Sequence, residues 1–367
     1  MKKILHIPTG LYVAGAQKIA RDVGLRRDKD RFAIDYVVFT DKTEAYEPEL
    51  LAGGCRVFHL ALPAGGLSRY AKMYSQLKDL MRREAYDAVH AHGMFMSAIP
   101  IAAAKAAGVP IRITHSHNSS HYKWRFSAFC DSVLRRIILR DSTVLAACGD
   151  AAGEFLFGKR AYKRRGTLIL NGADTDAFRF SPEKREALRS ALSLQDRFVI
   201  GIVARLEPSK NHGFLIELLP ELLKRRPDAV LLVVGDGNER SVLEQRIAAA
   251  GLGAYVIFSG VVSDVPGYLN AMDVFALPSL FEGVPLTLME AQANGLPCVM
   301  SENVPREVAV TDLIKTIPLA DRNGWIQAIC AAERRDPGSC ADLMRARGLD
   351  YSAMLQKIYQ LYGPDSI

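Results

Sequence analysis

No apolar run in this 367-residue chain approaches the roughly 20 residues needed to cross a bilayer. The N-terminus, MKKILHIPTG, carries two lysines but no apolar core of signal-peptide length, and it reads as a first strand. Cysteine is sparse. Cys55, Cys130, Cys148, Cys298, Cys330 and Cys340 form no CxxC pair and no cysteine–histidine cluster of zinc-ligand spacing. They read as reduced thiols of a cytoplasmic protein. No Gly-x-Gly-x-x-Gly follows the first strand, where GLYVAG stands, which argues against a nicotinamide dehydrogenase. Low-complexity tracts and short repeats are missing as well.

What is present is a composition of ordinary soluble type, 49% hydrophobic and 24% charged. The length exceeds that of a single usual core, so two domains are expected. The net charge of +7 is unevenly spread. Residues 1–175 hold 27 Lys and Arg against 16 Asp and Glu, whereas the remainder holds 20 against 24. One half therefore faces something anionic, and charge alone leaves nucleic acid and an anionic membrane both open.

Short apolar runs alternate with helical patterns. KKILHI, AIDYVVF, RVFHL, DAVHAH, IRITHSH, TVLAAC and TLILN read as strands in the first half; FVIGIVA, AVLLVVG, YVIFSG, DVFALP and PCVMS do so in the second. Segments such as LSRYAKMYSQLKDLMRR and GFLIELLPELLKRR space their apolar residues by three and four. Strands apolar on both faces and separated by helices indicate parallel sheets covered on each side. The series restarts after the charged segment DTDAFRFSPEKREALRSALSLQDR, which places a boundary near residues 175–195. The expected fold class is α/β, two doubly wound Rossmann-like domains facing each other across a cleft. The expected domains are 1–175 and 176–349, with a C-terminal helix at about 350–367 packing back on the first through Met354, Leu355, Ile358, Tyr359 and Leu361.

The densest chemical signal is FEGVPLTLMEA, residues 281–291. Pro285 suits a first helical position. The amides around Gly283, Val284, Pro285 and Leu286 would then form an anion site at a helix start, with Gly283 leaving room for a ligand. Glu282 at the opening and Glu290 farther along could accept hydrogen bonds from vicinal hydroxyls; capping and solvated charge are the alternative. ARLEPSKNH places Arg205 and Lys210 beyond a strand's carboxyl end, where two cations can neutralise a diphosphate. Gly235-Asp236-Gly237 reads as turn chemistry. HAH and HSH have metal-ligand spacing, but such pairs also arise when alternate strand residues share a face.

In order, ARLEPSKNH, VVGDGNE and FSGVVSDVPGYLNAMDVFALPSLFEGVPLTLMEAQANGLPCV resemble the donor domain of GT-B glycosyltransferases of family GT4, with Glu282 and Glu290 matching its E-x7-E signature. VAGAQKIARDV, VHAHG, HSHN, ACGDAAGEFLFG and ILNGADTDAF follow the family's first domain. HSHN, ACGDAAGEFLFG and EAQANGLPCVMSE are most similar to the CapH/EpsF-type branch of bacterial capsule and exopolysaccharide assembly. The resemblance covers about residues 1–310. It implies an acceptor-binding first domain and a nucleotide-sugar donor-binding second one. Gly15 would lie beside the donor diphosphate, which Arg205 and Lys210 would hold and whose charge they would offset. Glu282 would bind the transferred sugar, Glu290 the ribose, and His117 would hydrogen-bond near the reacting sugar. No metal or other cofactor is implied, and no Asp-x-Asp element stands on a suitable strand. Two departures fall in the first loop: Ala14-Gly15 replaces a Gly-Gly pair, and Gln17 replaces an acidic residue.

HYKWRFSAFCDSVLRRIILRDS carries Phe126, Phe129, Val133, Leu134, Ile137 and Ile138 as a helical stripe, with Lys123, Trp124, Arg125, Arg135, Arg136 and Arg140 around it. Core packing with solvated charge is one reading, and a helix at an anionic membrane surface beside a lipid-linked acceptor is the other. Nucleic acid is not an expected partner, because no aromatic platform or reader motif accompanies the charge. The expectation is a cytoplasmic retaining hexosyl or N-acetylhexosaminyl transferase, peripheral to the inner face of the membrane. It would move sugar from a nucleotide sugar, UDP-linked by preference, to a polyprenyl-diphosphate-linked saccharide. The alternatives are a sugar-nucleotide 2-epimerase on the same fold and a non-catalytic membrane-associated scaffold of polysaccharide assembly.

Overall fold

The computed structural model describes residues 1–63, 65–118, 128–334 and 337–363. The chain forms two compact units, Met1–Leu170 with Met354–Ile367, and Asn171–Ala353. In the first, parallel strands β1 (Lys2–Ile7), β2 (Phe32–Val38), β3 (Arg56–His59), β4 (Ala88–Ala91), β5 (Ile111–Ser116), β6 (Val144–Ala147) and β7 (Gly166–Leu168) lie in the order β3-β2-β1-β4-β5-β6-β7. In the second, β8 (Phe198–Val203), β9 (Ala229–Val234), β10 (Val256–Gly260), β11 (Val274–Leu277), β12 (Cys298–Ser301) and β13 (Ile314–Ile317) lie in the order β10-β9-β8-β11-β12-β13.

Both orders run outward from a first strand and then reverse, the doubly wound arrangement. The order reverses between β1 and β4 in one sheet and between β8 and β11 in the other. Ligands of such sheets bind outside the carboxyl ends of the strands at these reversals. The loops that matter are therefore those after β1, β4, β8 and β11.

Burial explains the strand choice. Every residue of β8 and β9 is buried, and their Val, Ile and Leu side chains fill both faces. In the second unit Trp325, fully buried, meets Phe214 edge-on at 5.2 Å between ring centroids. The charged segment after residue 174 is not a bare connection: Pro182–Ala191 is a helix of the second unit, capped by the Ser181 hydroxyl. Arg185 and Arg189 reach inward from it to the Asp273 carboxylate at 2.6 and 3.2 Å, and Asp273 also accepts from the Val199 amide at 2.7 Å.

The C-terminal helix, Tyr351–Gln360, leads into the first unit. Met354, Leu355 and Ile358 are buried there, Tyr359 stacks on Phe32 at 5.2 Å, and its hydroxyl donates to the Val23 carbonyl. Tyr362, just past the helix, is fully buried.

Of the basic, apolar stripe expected at 123–140, Lys123, Trp124, Arg125 and Phe126 lie outside the described residues. The rest is helix Ala128–Asp141, and it does not bury one stripe. Ile138 is fully buried, whereas Phe129 is 75% exposed and Val133 also faces outward. At 100° per residue, Phe129, Val133, Arg136 and Arg140 fall within about 60° of one another. The outer face is thus both apolar and basic. Arg135 is not part of it. Its guanidinium donates to the Phe155 and Leu156 carbonyls at 3.0 Å, closing the last turn of helix Asp150–Phe157, and it lies over the Phe95 ring. No helix among the described residues is long and apolar enough to cross a membrane.

Candidate active site

In the second unit the site is assembled from the loops after β8 and β11. Pro208–Lys210 is a tight turn, and Asn211 leaves it in the left-handed region (φ 56°) to start helix His212–Arg225. Asparagine tolerates that conformation better than most residues. The Asn211 side chain donates to the Pro278 carbonyl at 3.2 Å, and the Leu280 amide donates to the Ser209 carbonyl at 2.8 Å. These two bonds clip the loops together. Lys210 Nζ consequently meets both oxygens of Glu282, at 2.7 and 2.8 Å, and the buried Ser279 hydroxyl donates to the same carboxylate at 2.7 Å.

Glu282 is 8% exposed and Glu290 only 4%. That excludes the solvated-charge reading of the pair: carboxylates with so little water around them need polar partners. Glu290 lies on helix Leu286–Ala293, whose other residues, Thr287 excepted, are buried too. The helix begins one residue later than Pro285 alone suggests, with Pro285 in the extended N-cap position. The Leu288 amide donates to the Pro285 carbonyl at 3.2 Å, while the Leu286 and Thr287 amides have no acceptor within the helix. Asn171 donates to the Val284 carbonyl at 3.4 Å, tying Gly283–Val284 to the start of the unit.

Arg205 has a different partner from Lys210. It pairs with buried Glu207 at 2.8 Å and is half exposed. Its loop is shaped by Gly235 and Gly237, whose role is packing. Gly235 has φ +133°, and a Cβ there would collide with the Ala204 carbonyl; one on Gly237 would stand 2.5 Å from the Leu206 carbonyl. The bare backbone lets the Leu206 amide donate to the Asp236 carbonyl at 3.0 Å. Gly235→Ala adds both a collision with fixed backbone and an unfavourable φ, so a loss of about 4 kcal/mol is expected. In a unit of this size that is a fall of roughly 10 °C in Tm by calorimetry. A variant within 2 °C of the parent would refute this account of the turn.

His212 follows this loop. It is buried, neither ring nitrogen has a hydrogen-bond partner, and burial first, then the Lys210 charge, lowers its pKa to about 4. It is neutral at physiological pH.

In the first unit, Gly15 opens helix Gly15–Leu25 after Ala14, whose φ of −163° is extended backbone open to any residue. The alanine in place of glycine is therefore accommodated without strain. Gln17 is buried and donates to the Thr9 hydroxyl at 2.6 Å, fastening the loop after β1 to the helix.

His6 on β1, His90 and His92 at β4, and His115 and His117 at β5 share one face of three adjacent strands, and all are buried. Alternation along each strand puts them there. Burial lowers every one of their pKa values, to about 3 for His6 and about 4 for His117. Two triads, His6–His90–His92 and His92–His115–His117, hold ring nitrogens within 4.8 Å of one another. Sequence reasoning singled out His117 and the two same-face pairs. It missed His6 and Tyr362 as their partners, and Ser279, Asn211, Glu207 and Asn171, none of which stands in a pattern that marks a contact.

Comparison with known proteins identifies the family. Residues 23–172 match the family model described as a glycosyl transferase 4-like domain, and residues 183–325 the one described as glycosyl transferases group 1. EpsF of Bacillus subtilis (strain 168) is 33% identical over 341 residues, 90% of this chain and 88% of EpsF. The UDP-Gal:alpha-D-GlcNAc-diphosphoundecaprenol alpha-1,3-galactosyltransferase of Escherichia coli is 28% identical over 82% of this chain and 79% of its own. Among solved structures, Anabaena HepE in complex with UDP and glucose superposes with a TM-score of 0.80 over 98% of both chains at 22% identity. The fold is that of the GT-B glycosyltransferases, and the chain belongs to their group 1 family, GT4.

Proposed function

We propose that this protein transfers a sugar, with retention of anomeric configuration, from a UDP-sugar to a saccharide carried on a polyprenyl diphosphate in capsule or exopolysaccharide assembly. The observation that carries the reading is the buried carboxylate pair of the helix start, Glu282 held by Lys210 and Ser279, and Glu290 farther along the helix. Two buried acceptors flanking the helix-start amides suit a molecule with a diphosphate between two sugars. The relatives support the donor and acceptor class. The E. coli enzyme is named for a UDP-galactose donor and a diphosphoundecaprenol-linked acceptor, and HepE was solved with UDP and glucose.

On this reading Glu282 accepts from hydroxyls of the transferred sugar and Glu290 from the ribose. Lys210 and Arg205 stabilise charge on the departing diphosphate, without a metal ion. Gly15 borders the diphosphate. The acceptor hydroxyl attacks from the face the diphosphate leaves, the bond from sugar to phosphate breaks as the new glycosidic bond forms, and the diphosphate takes the hydroxyl proton. His117 hydrogen-bonds beside the reacting sugar. No general base from the protein is needed. The protein contributes orientation and charge.

A thermal-shift screen across UDP-, GDP- and ADP-sugars tests the donor, since bound donor raises stability. Transfer to a polyprenyl-diphosphate saccharide, with the product anomer read by NMR, tests the reaction. An inverted product, or no stabilisation by any UDP-sugar, sinks the reading; interconversion of the donor without transfer would point to an epimerase.

The outward face of helix Ala128–Asp141 suits a peripheral contact with an anionic membrane at the cytoplasmic surface. Arg136→Ser with Arg140→Ser is expected to weaken binding to phosphatidylserine-containing vesicles, read by sedimentation, about thirtyfold, near 1 kcal/mol per cation. Arg135→Ser instead lowers Tm, because its carbonyl partners lose their donor. Unchanged sedimentation of the double variant would remove this face from the membrane.

A further inference from the structure

The five buried histidines and Tyr362 form one unbranched chain of hydrogen bonds. His117 Nε2 meets His92 Nδ1 at 2.8 Å, and His92 Nε2 meets His6 Nδ1 at 3.3 Å. His6 Nε2 meets the Tyr362 hydroxyl at 2.7 Å, which meets His90 Nδ1 at 2.9 Å; His90 Nε2 then meets His115 Nδ1 at 3.1 Å. The two ends, His117 Nδ1 and His115 Nε2, are buried without a partner.

Proton counting restricts this chain severely. A neutral imidazole carries one proton on two nitrogens, and the tyrosine hydroxyl carries one. Six protons serve five links. If every link holds one proton, all six point the same way along the chain, and the remaining proton emerges at one end only. Either all five rings are protonated at Nδ1 and His117 presents Nδ1–H, or all are protonated at Nε2 and His115 does. A buried N–H without an acceptor is the rarer and costlier fault. Neither end has an acceptor among the described residues, but His117 is 9% exposed and His115 only 1%. An N–H at the His117 end is therefore the one a bound ligand can reach, and the His115 end is left as a lone pair.

We propose that Tyr362 is a positioning residue that fixes the tautomer of His117, through His6 and His92, so that His117 Nδ1 is an N–H donor to an oxygen of the sugar substrate. The proposal rests on the reading that His117 works beside the reacting sugar. Tyr362 transmits direction because its hydroxyl donates to His6 Nε2 while accepting from His90 Nδ1. Without that hydroxyl the chain falls into two independent pieces, and the piece ending in His117 can reverse. The same rings could instead gather a metal ion. In the triad His92–His115–His117, His92 Nδ1 and His117 Nε2 face each other at 2.8 Å, shorter than two nitrogens about 2.0–2.1 Å from one tetrahedral ion would stand. The triad His6–His90–His92 is decided by the zinc arm of the test below.

The test is long-range proton–nitrogen NMR of the full-length 15N-labelled protein, with turnover measured in parallel. All five rings are expected in the Nδ1–H form. In Tyr362→Phe, His6, His92 and His117 shift together toward Nε2–H, and kcat falls about tenfold with little change in the donor KM. Tyr359→Phe is the control: it loses a hydrogen bond on the same segment, to the Val23 carbonyl, but stands outside the chain, so the tautomers stay as they were. Mixed tautomers in the parent protein overturn the proposal. So does a His117 tautomer or a turnover indifferent to Tyr362→Phe, or one equivalent of Zn2+ displacing the Nδ1 protons. If the tautomers move as expected but the parent protein transfers no sugar, the failure lies with the functional reading and the chain itself stands.

Discussion

Lys210→Ala is expected to lower kcat for sugar transfer by about 10²–10³, the usual cost of removing one preorganised charge from a developing anion. Lys210 is fixed before any substrate arrives. Its tight turn, the left-handed Asn211 and the clip between the β8 and β11 loops hold the ammonium against Glu282. Little reorganisation is left for the reaction itself. Arg205 is half exposed and tied to Glu207, so Arg205→Ala should cost roughly tenfold, mostly in donor KM. Glu282→Ala removes the partner of Lys210 and, on the proposed reading, the group that accepts from the sugar's hydroxyls. Its effect and that of Lys210→Ala should therefore be strongly non-additive, with a coupling of about 1–3 kcal/mol in a double-mutant cycle of kcat/KM. A kcat within threefold of the parent in Lys210→Ala, or strict additivity with Glu282→Ala, would remove the ion pair from the mechanism.

How much of this was legible in the sequence depends on range. Twelve of the strands in the two sheets stand out as short apolar runs between helical patterns, most clearly β8 and β9, because a strand buried on both faces has a local signature. The remaining strand, β13, does not: IKTI is four residues long, and Lys315 is exposed on it. Glu282 and Glu290 were readable as a pair through their E-x7-E spacing and its family resemblance, since carboxylates near a helix start are by themselves ordinary. Their burial was not, since it comes from tertiary packing.

The contact between Lys210 and Glu282 spans 72 positions and exists only because β8 and β11 are neighbours at the reversal of strand order. The histidines divide in the same way. HAH and HSH are visible as same-face pairs, but His6 joins them from 86 positions away and Tyr362 meets His6 across 356. The stripe expected on 126–138 misled for a related reason. A local pattern shows that apolar residues share a face; which face the sheet covers is decided elsewhere, and here Phe129 was left outside.

The buried rings make acid the sharpest solution test of the first unit. A histidine with a lowered folded pKa binds fewer protons folded than unfolded at any pH between its two values. Stability is therefore complete above the unfolded value of about 6.5 and falls as pH falls toward the folded ones. Burial places His6 near 3 and His117 near 4, and lowers His90, His92 and His115 well below 6.5 as well. Each ring contributes up to about 1.4 kcal/mol per pH unit in that window, so five contribute up to about 7. Against a unit stability of about 5–15 kcal/mol, the first unit should unfold cooperatively with a midpoint near pH 5. His59 works in the opposite direction, because its bond to Glu47 raises its pKa, but it is one partly exposed ring against five buried ones. The second unit has a single buried ring of this kind, His212, so its slope is several times shallower. In the full chain with Trp124→Phe, the fluorescence of buried Trp325 reports the second unit alone, while the histidine ring signals report the first. The ring signals should collapse near pH 5, with Trp325 unchanged until lower pH. Histidine signals that stay native to pH 4 would mean that the rings accept protons in place, and the neutral, hydrogen-bonded chain would then be wrong.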